Sequence, residues 1–222
     1  MNNYLEALRI QRWDDHRFYH HSRINQSLHL VSAISFVLSY GLLFKDPALA
    51  ALIAWGVGMV TRQAGHFFFE PHSYDDVNKA THAHKEDIKV GYNLRRKVVL
   101  MSVWAAAPVL LALSPSLFGT MEPGAGLAGY LHNVGVGWFV LGVVGVCFRT
   151  VHLFFLRSVL TGLIWMLKII TDPFHDIMIY WQSPLALARG ELIDPMNHAR
   201  EHSASKPDAA ELDPAGPAET LP

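Results

Sequence analysis

Long apolar stretches separated by short polar connections run through most of this chain. Four of them, residues 28–44, 48–69, 98–113 and 130–148, are near the about 20 residues that a helix needs to cross a bilayer. A fifth, residues 153–170, has polar groups along one helical face, which favours an amphipathic helix in the membrane plane. The pattern predicts an all-α integral membrane protein with four transmembrane helices and an amphipathic helix after the fourth span.

Polar segments flank this helical core at both ends. Residues 2–25 are amphipathic and carry arginines and Trp13, which suit a helix lying at the membrane surface. The last residues are rich in Ala, Pro and acidic groups, a composition typical of disorder. The predicted division is therefore an interfacial helix (1–27), a helical membrane domain (28–202) and a disordered tail (203–222).

The first two spans form a predicted hairpin that turns at Lys45-Asp46-Pro47. Pro47 cannot continue the first helix and is well suited to opening the second. Counting outward from the turn at about 1.5 Å per residue places His29 and His66 at nearly the same depth. We therefore expect these two histidines to meet at one membrane surface, close to His20 and His21.

Composition and charge support this class of protein and orient it. Hydrophobic residues make up 51% of the chain and charged residues 17%, against about 25% charged in soluble domains. The formal net charge of -1 argues against a nucleic-acid partner. Lys and Arg concentrate in residues 1–27 and 71–97 and are missing from 114–130, which predicts cytosolic N- and C-termini. The single Cys147 excludes an intramolecular disulfide and a cysteine-based metal cage.

The 13 histidines are the most informative part of the composition. On the predicted topology only His132 falls on the far side of the membrane. Neutral imidazole is the commonest metal ligand, and it titrates near physiological pH. This one-sided concentration is typical of a cytosol-facing metal site and equally of a pH-responsive surface.

The end of the second span carries an ionisable cluster. Arg62, His66 and Glu70 are four residues apart and share one face of a helix. Charged groups at the end of a membrane-type helix indicate a functional site by default. Further along, Arg95-Arg96-Lys97 anchors the third span and is suited to receive an anionic lipid or a carboxylate.

Two groups of residues resemble motifs of a known family. The first is Phe18-Tyr19-His20-His21 followed by Asn25 and His29; the second is Gln63-Ala64-Gly65-His66 followed by Phe69-Glu70. Together they resemble the membrane 2-hydroxy fatty acid dioxygenase family, which has endoplasmic-reticulum members and many bacterial ones. The resemblance covers about residues 13–70 and implies a location in the bacterial inner membrane.

The resemblance also implies a cofactor, substrates and roles. It implies Fe(II), O2, and a 2-hydroxy fatty acid or related lipid that is shortened by one carbon. The implied iron ligands are His20, His29 and His66, with His21 a further candidate. Glu70 is then a ligand or a group that orients an imidazole. A substrate carboxylate would be neutralised by Arg62 or by Arg95 and Arg96, and the acyl chain would lie against Phe67 and Phe68.

Two other hypotheses stay open at this point. One is a non-enzymatic, histidine-rich membrane protein that responds to lipid or pH. The other is a di-iron lipid hydroxylase or desaturase, since His16 with His20-His21 resembles one histidine box of those enzymes. The sequence also leaves open whether the protein forms a homo-oligomer.

Overall fold

The computed structural model describes residues 2–70, 73–75, 78–90 and 94–196. This part of the chain is all-helical, as predicted. The helices are α1 (Asn2–Tyr19), α2 (Arg23–Leu42), α3 (Pro47–Ile53), a π-helical segment (Ala54–Met59), α4 (Val60–Phe68), α5 (His82–Ile88), α6 (Leu94–Leu113), α7 (Gly126–Leu156), α8 (Val159–Tyr180) and α9 (Ser183–Ala188). The predicted tail, together with His198 and His202, lies outside the described residues.

The predicted hairpin between the first two long helices is confirmed. Asp46 caps α3 by accepting a hydrogen bond of 2.9 Å from the Leu49 backbone N–H, and Pro47 opens the helix. The helix then continues through the π-helical segment into α4. Sequence periodicity did not predict the π-helical turns, which in other proteins often accompany functional sites.

The prediction of one N-terminal helix over residues 2–25 is wrong at its end. The chain leaves α1 after Tyr19 and restarts as α2 at Arg23. Ser22 caps the new helix, since its side chain accepts from the Asn25 N–H at 3.4 Å. The short break places His20 and His21 between two helices.

The predicted boundary between the fourth span and the following amphipathic helix is also wrong. Residues 153–156 belong to α7, and Ser158 caps α8 by accepting from the Thr161 N–H at 3.1 Å. α8 then runs without a break to Tyr180, with Pro173 inside it. Of the polar residues predicted to share its exposed face, Lys168 is instead buried, in ion pairs with Asp15 and Asp172.

Pro108 in α6 helps to join α6 to α7. A proline has no N–H, so the carbonyl four residues before it, that of Trp104, lacks its helical partner. The indole N–H of Trp138 in α7 donates to this carbonyl at 3.0 Å, and the two indole rings stack at 5.1 Å between centroids. Pro108 is therefore tolerated inside α6 because a neighbouring helix supplies the missing donor.

Two of the described helices are long and apolar enough to cross a membrane, within Arg96–Leu113 and Gly126–Leu156. The surface of the described residues is apolar in many places. Phe155 and Met178 are strongly exposed, while Arg149 and Lys168 are buried. A large apolar surface of this kind is typical of a face that contacts a membrane or another protein. The four spans predicted from the sequence are thus supported in part.

Candidate metal centre

Three histidines from separate elements converge at one end of the helical hairpin. His20 lies in the break between α1 and α2, His29 in the first half of α2, and His66 in α4. One ring nitrogen of each lies within 4.8 Å of those of the other two. The ring centroids are 4.1 Å apart for His20 and His29 and 4.9 Å apart for His29 and His66. All three side chains are buried.

Two of the three rings are oriented by partners on their outer sides. The Nδ1 atom of His20 lies 2.8 Å from the Tyr180 hydroxyl, and the Nδ1 atom of His66 lies 2.7 Å from a Glu70 carboxylate oxygen. Partners of this kind fix the tautomer and the direction of a histidine that binds metal. In both rings they leave Nε2 as the atom that faces the other histidines.

The Tyr180 hydroxyl lies between two histidines. It is 3.0 Å from Nδ1 of His16 as well as 2.8 Å from Nδ1 of His20. Burial raises the pKa of the Tyr180 phenol well above its ordinary value, and nearby Asp176 adds to this effect. The phenol therefore stays protonated and donates to one of the two rings while it accepts from the other.

Asp176 connects the third histidine to an arginine. Its carboxylate lies 3.7 Å from Nδ1 of His29 and 2.8 Å from the guanidinium of Arg62. The first distance is too long for a hydrogen bond, so this carboxylate acts on His29 as a nearby charge. Arg62 holds Asp176 in place at the edge of the cluster.

The buried nitrogens of this cluster fit a metal ion. Nε2 of His20 and both ring nitrogens of His29 are buried without a hydrogen-bond partner among the described residues. Such atoms are costly to bury unless something binds them. Burial lowers the pKa of His20 well below its ordinary value, and repulsion from His29 adds to this. His20 is therefore neutral at physiological pH, which is the form that binds metals.

Gln26, whose side-chain amide makes hydrogen bonds through both its nitrogen and its oxygen, holds the backbone beside the cluster. The Gln26 amide is fully buried and donates to the His20 carbonyl at 2.7 Å and to the Asp194 carboxylate at 2.8 Å. Its oxygen accepts from Arg23 at 3.0 Å and from Ser183 at 2.7 Å. Gln26 thus ties the break after α1 to the C-terminal part of the described chain.

Gly65 allows α4 to approach α2 closely. A Cβ atom at this position would lie 2.1 Å from the Asn25 side-chain oxygen and 3.5 Å from the His29 ring. Asn25 is fully buried and cannot swing away freely, because its amide donates to the Tyr19 carbonyl at 2.9 Å. This pair of residues sets the distance between His29 and His66.

The described part of the segment between α4 and α6 contributes two lysines that contact residues around the cluster. Lys85 is almost fully buried and lies 3.6 Å from Asp75. Lys89 lies 3.9 Å from Glu70 and 3.6 Å from the centre of the Tyr19 ring. His82 and His84 are also in this segment but are not part of the three-histidine group.

The other predicted site residues lie farther from the cluster. His21 contacts the Arg17 carbonyl and lies 3.5 Å from Asp75, so the structure does not bring it to the three histidines. Phe68 is 77% exposed, Phe67 is half-buried and Arg96 is exposed. The side chain of Arg95 is not among those described. Of the predicted set, the structure brings together His20, His29, His66, Glu70 and Arg62.

A polar pocket opens beside His20. Its walls come from α1, α4 and α8 and include Arg12, Asp15, Arg62, Lys168, His175 and Tyr180. The cations in it are mostly paired: Arg12 lies 3.1 Å from Asp172, and Lys168 lies 2.5 Å from both Asp15 and Asp172. The pocket reaches His20, which also belongs to the cluster.

Sequence reasoning missed the contribution of α8. Lys168, Asp172, Asp176 and Tyr180 recur every four residues and form a buried polar stripe on an otherwise apolar helix. A polar stripe on an apolar helix indicates a face turned toward polar partners in the interior. This spacing was the signal that could have identified Asp176 and Tyr180.

Comparisons with protein-family models, with curated proteins and with solved structures gave no match to this chain. The resemblance to the 2-hydroxy fatty acid dioxygenase family therefore stays a prediction that depends on the residues of its two motifs.

Proposed function

We propose that this protein is an Fe(II)-dependent membrane dioxygenase that acts on a 2-hydroxy fatty acid or a related lipid. The observation that carries the proposal is the convergence of three buried histidines, of whose ring nitrogens three are buried without a hydrogen-bond partner among the described residues. Imidazole ligands with open positions are typical of non-haem iron sites that react with O2.

In this proposal His20, His29 and His66 hold the metal. When bound, iron supplies the capacity to bind O2 and to take part in electron transfer. Tyr180 and Glu70 hold two of the imidazoles in one tautomer and direction through their hydrogen bonds. The described residues bring three histidines to the centre, which leaves positions for a substrate and O2.

The proposed reaction balances without another co-reactant. A 2-hydroxy acid and O2 give the acid one carbon shorter, carbon dioxide and water. The carboxylate and the neighbouring hydroxyl of such a substrate are two oxygens that one metal ion can bind together. The buried surroundings of the three histidines exclude bulk water from this reaction.

A lipid substrate suits the surface of the protein. We propose four transmembrane spans, with α2 and the α3–α4 helix joining α6 and α7, and with the N-terminus and the segment before α6 cytosolic. The three histidines then lie at the cytosolic membrane surface, where a fatty acid places its carboxyl group. The strongly exposed Phe68 next to His66 is in position to contact lipid.

Metal content of protein purified without oxygen tests the proposal. We expect near-stoichiometric iron in the wild type, and its loss in His29→Ala and in His66→Ala. His84→Ala is the matched control, because His84 is exposed and lies outside the cluster. Iron-loaded protein should then convert 2-hydroxy acids to the shorter acids only when O2 is present.

Other outcomes would change the assignment. Zinc in place of iron would keep the site but indicate hydrolytic or structural chemistry. Absence of any metal would overturn the proposal and favour a non-enzymatic, histidine-rich membrane protein. Iron without O2-dependent turnover of 2-hydroxy acids would reject this substrate class.

A further inference from the structure

His16, which lies on α1 one turn before His20, is connected to the metal centre through Tyr180. Its side chain is buried, and its Nδ1 atom lies 3.0 Å from the Tyr180 hydroxyl. The same hydroxyl lies 2.8 Å from Nδ1 of His20. His16 is not one of the three histidines whose nitrogens converge. The three side chains therefore form one hydrogen-bonded chain that begins at a proposed metal ligand and ends at a histidine outside the ligand group.

The direction of the hydrogen bonds in this chain follows from the way in which His20 binds a metal. Tyr180 occupies Nδ1 of His20, so Nε2 is the nitrogen left for the metal. A neutral imidazole that binds through Nε2 carries its hydrogen on Nδ1. That hydrogen is donated to the Tyr180 oxygen, which leaves the single phenol hydrogen for Nδ1 of His16. His16 therefore accepts at Nδ1 and carries its own hydrogen on Nε2.

The opposite direction is incompatible with a metal centre. If the phenol donated to His20, Nδ1 of His20 would be the acceptor and the ring hydrogen would be on Nε2. A ring nitrogen that carries a hydrogen has no lone pair for a metal ion. This hydrogen would also be a buried donor without an acceptor, because Nε2 has no partner among the described residues.

The first direction requires an acceptor for the phenol hydrogen on the far side of Tyr180. Within the described part of the chain, the Tyr180 hydroxyl makes hydrogen bonds to two groups, His20 and His16. Without His16, a phenol that accepts from His20 would keep a buried O–H with no acceptor, which is costly. The acceptor that selects the metal-binding tautomer of His20 is therefore Nδ1 of His16.

We propose that His16 is a positioning residue that accepts the Tyr180 hydrogen and so keeps His20 in the tautomer that offers Nε2 to the metal. This role rests on the metal centre of the proposed function, but not on the identity of the metal or of the substrate. It also differs from the di-iron hypothesis, in which His16 belongs to a histidine box and is itself a ligand. Here its Nδ1 atom is occupied by a phenol, and the ring supports a ligand of a single ion.

Co(II) binding to metal-free protein in detergent, measured by competition with a chelator, tests this role independently of iron and O2 chemistry. His16→Phe keeps an aromatic ring but removes both nitrogens, whereas His16→Asn keeps an amide oxygen near the position of Nδ1. His84→Phe is the matched control, because His84 is exposed and lies outside the cluster. Tyr180→Phe, alone and combined with His16→Phe, completes a double-mutant cycle.

We expect one Co(II) ion per chain in the wild type and in the His16 variants. His16→Phe should bind Co(II) about fivefold or more weakly than the wild type, since the hydrogen bond that stabilises the ligand tautomer is lost. His16→Asn should recover most of this affinity, and His84→Phe should bind as the wild type does. In the Tyr180→Phe background, His16→Phe should cause no further loss, because the hydroxyl that connects His16 to His20 has gone.

Several results would overturn this role. Equal Co(II) affinities of the wild type and His16→Phe would show that the acceptor has no effect. The same loss in the wild-type and Tyr180→Phe backgrounds would show that His16 acts by packing and not through the phenol. Loss of a whole equivalent of Co(II) in His16→Phe would make His16 a ligand.

The remaining outcomes separate this role from the proposed function. His16→Leu removes the same nitrogens and takes the place of His16→Phe if that variant does not fold. A wild type that binds no Co(II) would overturn the role together with the metal centre. A wild type that binds Co(II) and follows the predicted cycle, but does not convert 2-hydroxy acids, would uphold His16 and reject the dioxygenase proposal.

Discussion

At the scale of single residues, Gly65 is the position where the smallest change has the largest expected effect. In Gly65→Ala the new methyl group meets the Asn25 side chain, whose amide is held by the Tyr19 carbonyl. The separation of His29 and His66 must then change, so we expect the metal content to fall to background. Gly41→Ala is the control, because a Cβ atom there meets nothing within 4 Å. Full metal occupancy in Gly65→Ala would show that the two helices tolerate the shift.

Tyr180 gives a second prediction at this scale. Tyr180→Phe removes the hydroxyl that orients His20, and outer partners of metal-bound histidines are worth about 10- to 100-fold in metal affinity. We expect a loss of affinity in this range from a competition titration with a chelator. Tyr40→Phe is the matched control. It also removes a phenol hydroxyl that contacts α8, through the Ile170 carbonyl at 2.9 Å, but this hydroxyl contacts no histidine of the cluster. Equal affinities in the two variants would contradict an orienting role for Tyr180.

The sequence predicted the residues of the site better than their roles. Spacing and the hairpin turn brought His29 and His66 to one depth, and the structure places them together with His20. The sequence did not separate His20 from His21, because the break in the helix after Tyr19 turns the second ring toward Asp75. Long-range partners such as Tyr180 depend on the packing of α8, which local spacing does not determine.

At the scale of elements, α7 packs against the hairpin through small residues. A Cβ atom at Gly135 would lie 2.4 Å from the Ala48 carbonyl oxygen, whereas at Gly137 it would meet nothing within 4 Å. Gly135→Val should therefore separate α7 from α3 and destabilise the protein by about 1–3 kcal/mol. Gly137→Val should change stability by about 0.5 kcal/mol or less. Thermal unfolding of both variants in detergent checks this, and similar midpoints would contradict close packing at Gly135.

The all-helical class was predicted correctly, and the ends of the helices were predicted poorly. Long apolar runs identify helices of this type because a run of this length is too long for a typical β-strand. Their ends depend on single capping groups such as Ser22 and Ser158, which the apolar pattern does not detect. The same limit explains why residues 153–156 were assigned to the wrong helix.

At the scale of the whole molecule, buried charged side chains occur beside many exposed apolar ones in the described part of the chain. Charged side chains of α8 face α1 and α4, as in the pairs of Lys168 with Asp15 and of Asp176 with Arg62. Apolar residues such as Phe155 and Met178 face outward. Buried ion pairs add little net stability, so their concentration around three histidines is better explained by function.

The membrane topology gives the last prediction. If α6 crosses the bilayer, the segment before it and the loop after it lie on opposite sides. In a Cys147→Ala background, Thr120→Cys should react with a membrane-impermeant maleimide in bacterial spheroplasts. Ser73→Cys should react only after the membrane is opened, because the Lys- and Arg-rich segment is expected to be cytosolic. Both replaced side chains are exposed. Labelling of both positions in closed spheroplasts would contradict a spanning α6, and the reverse pattern would place the three histidines on the outer side.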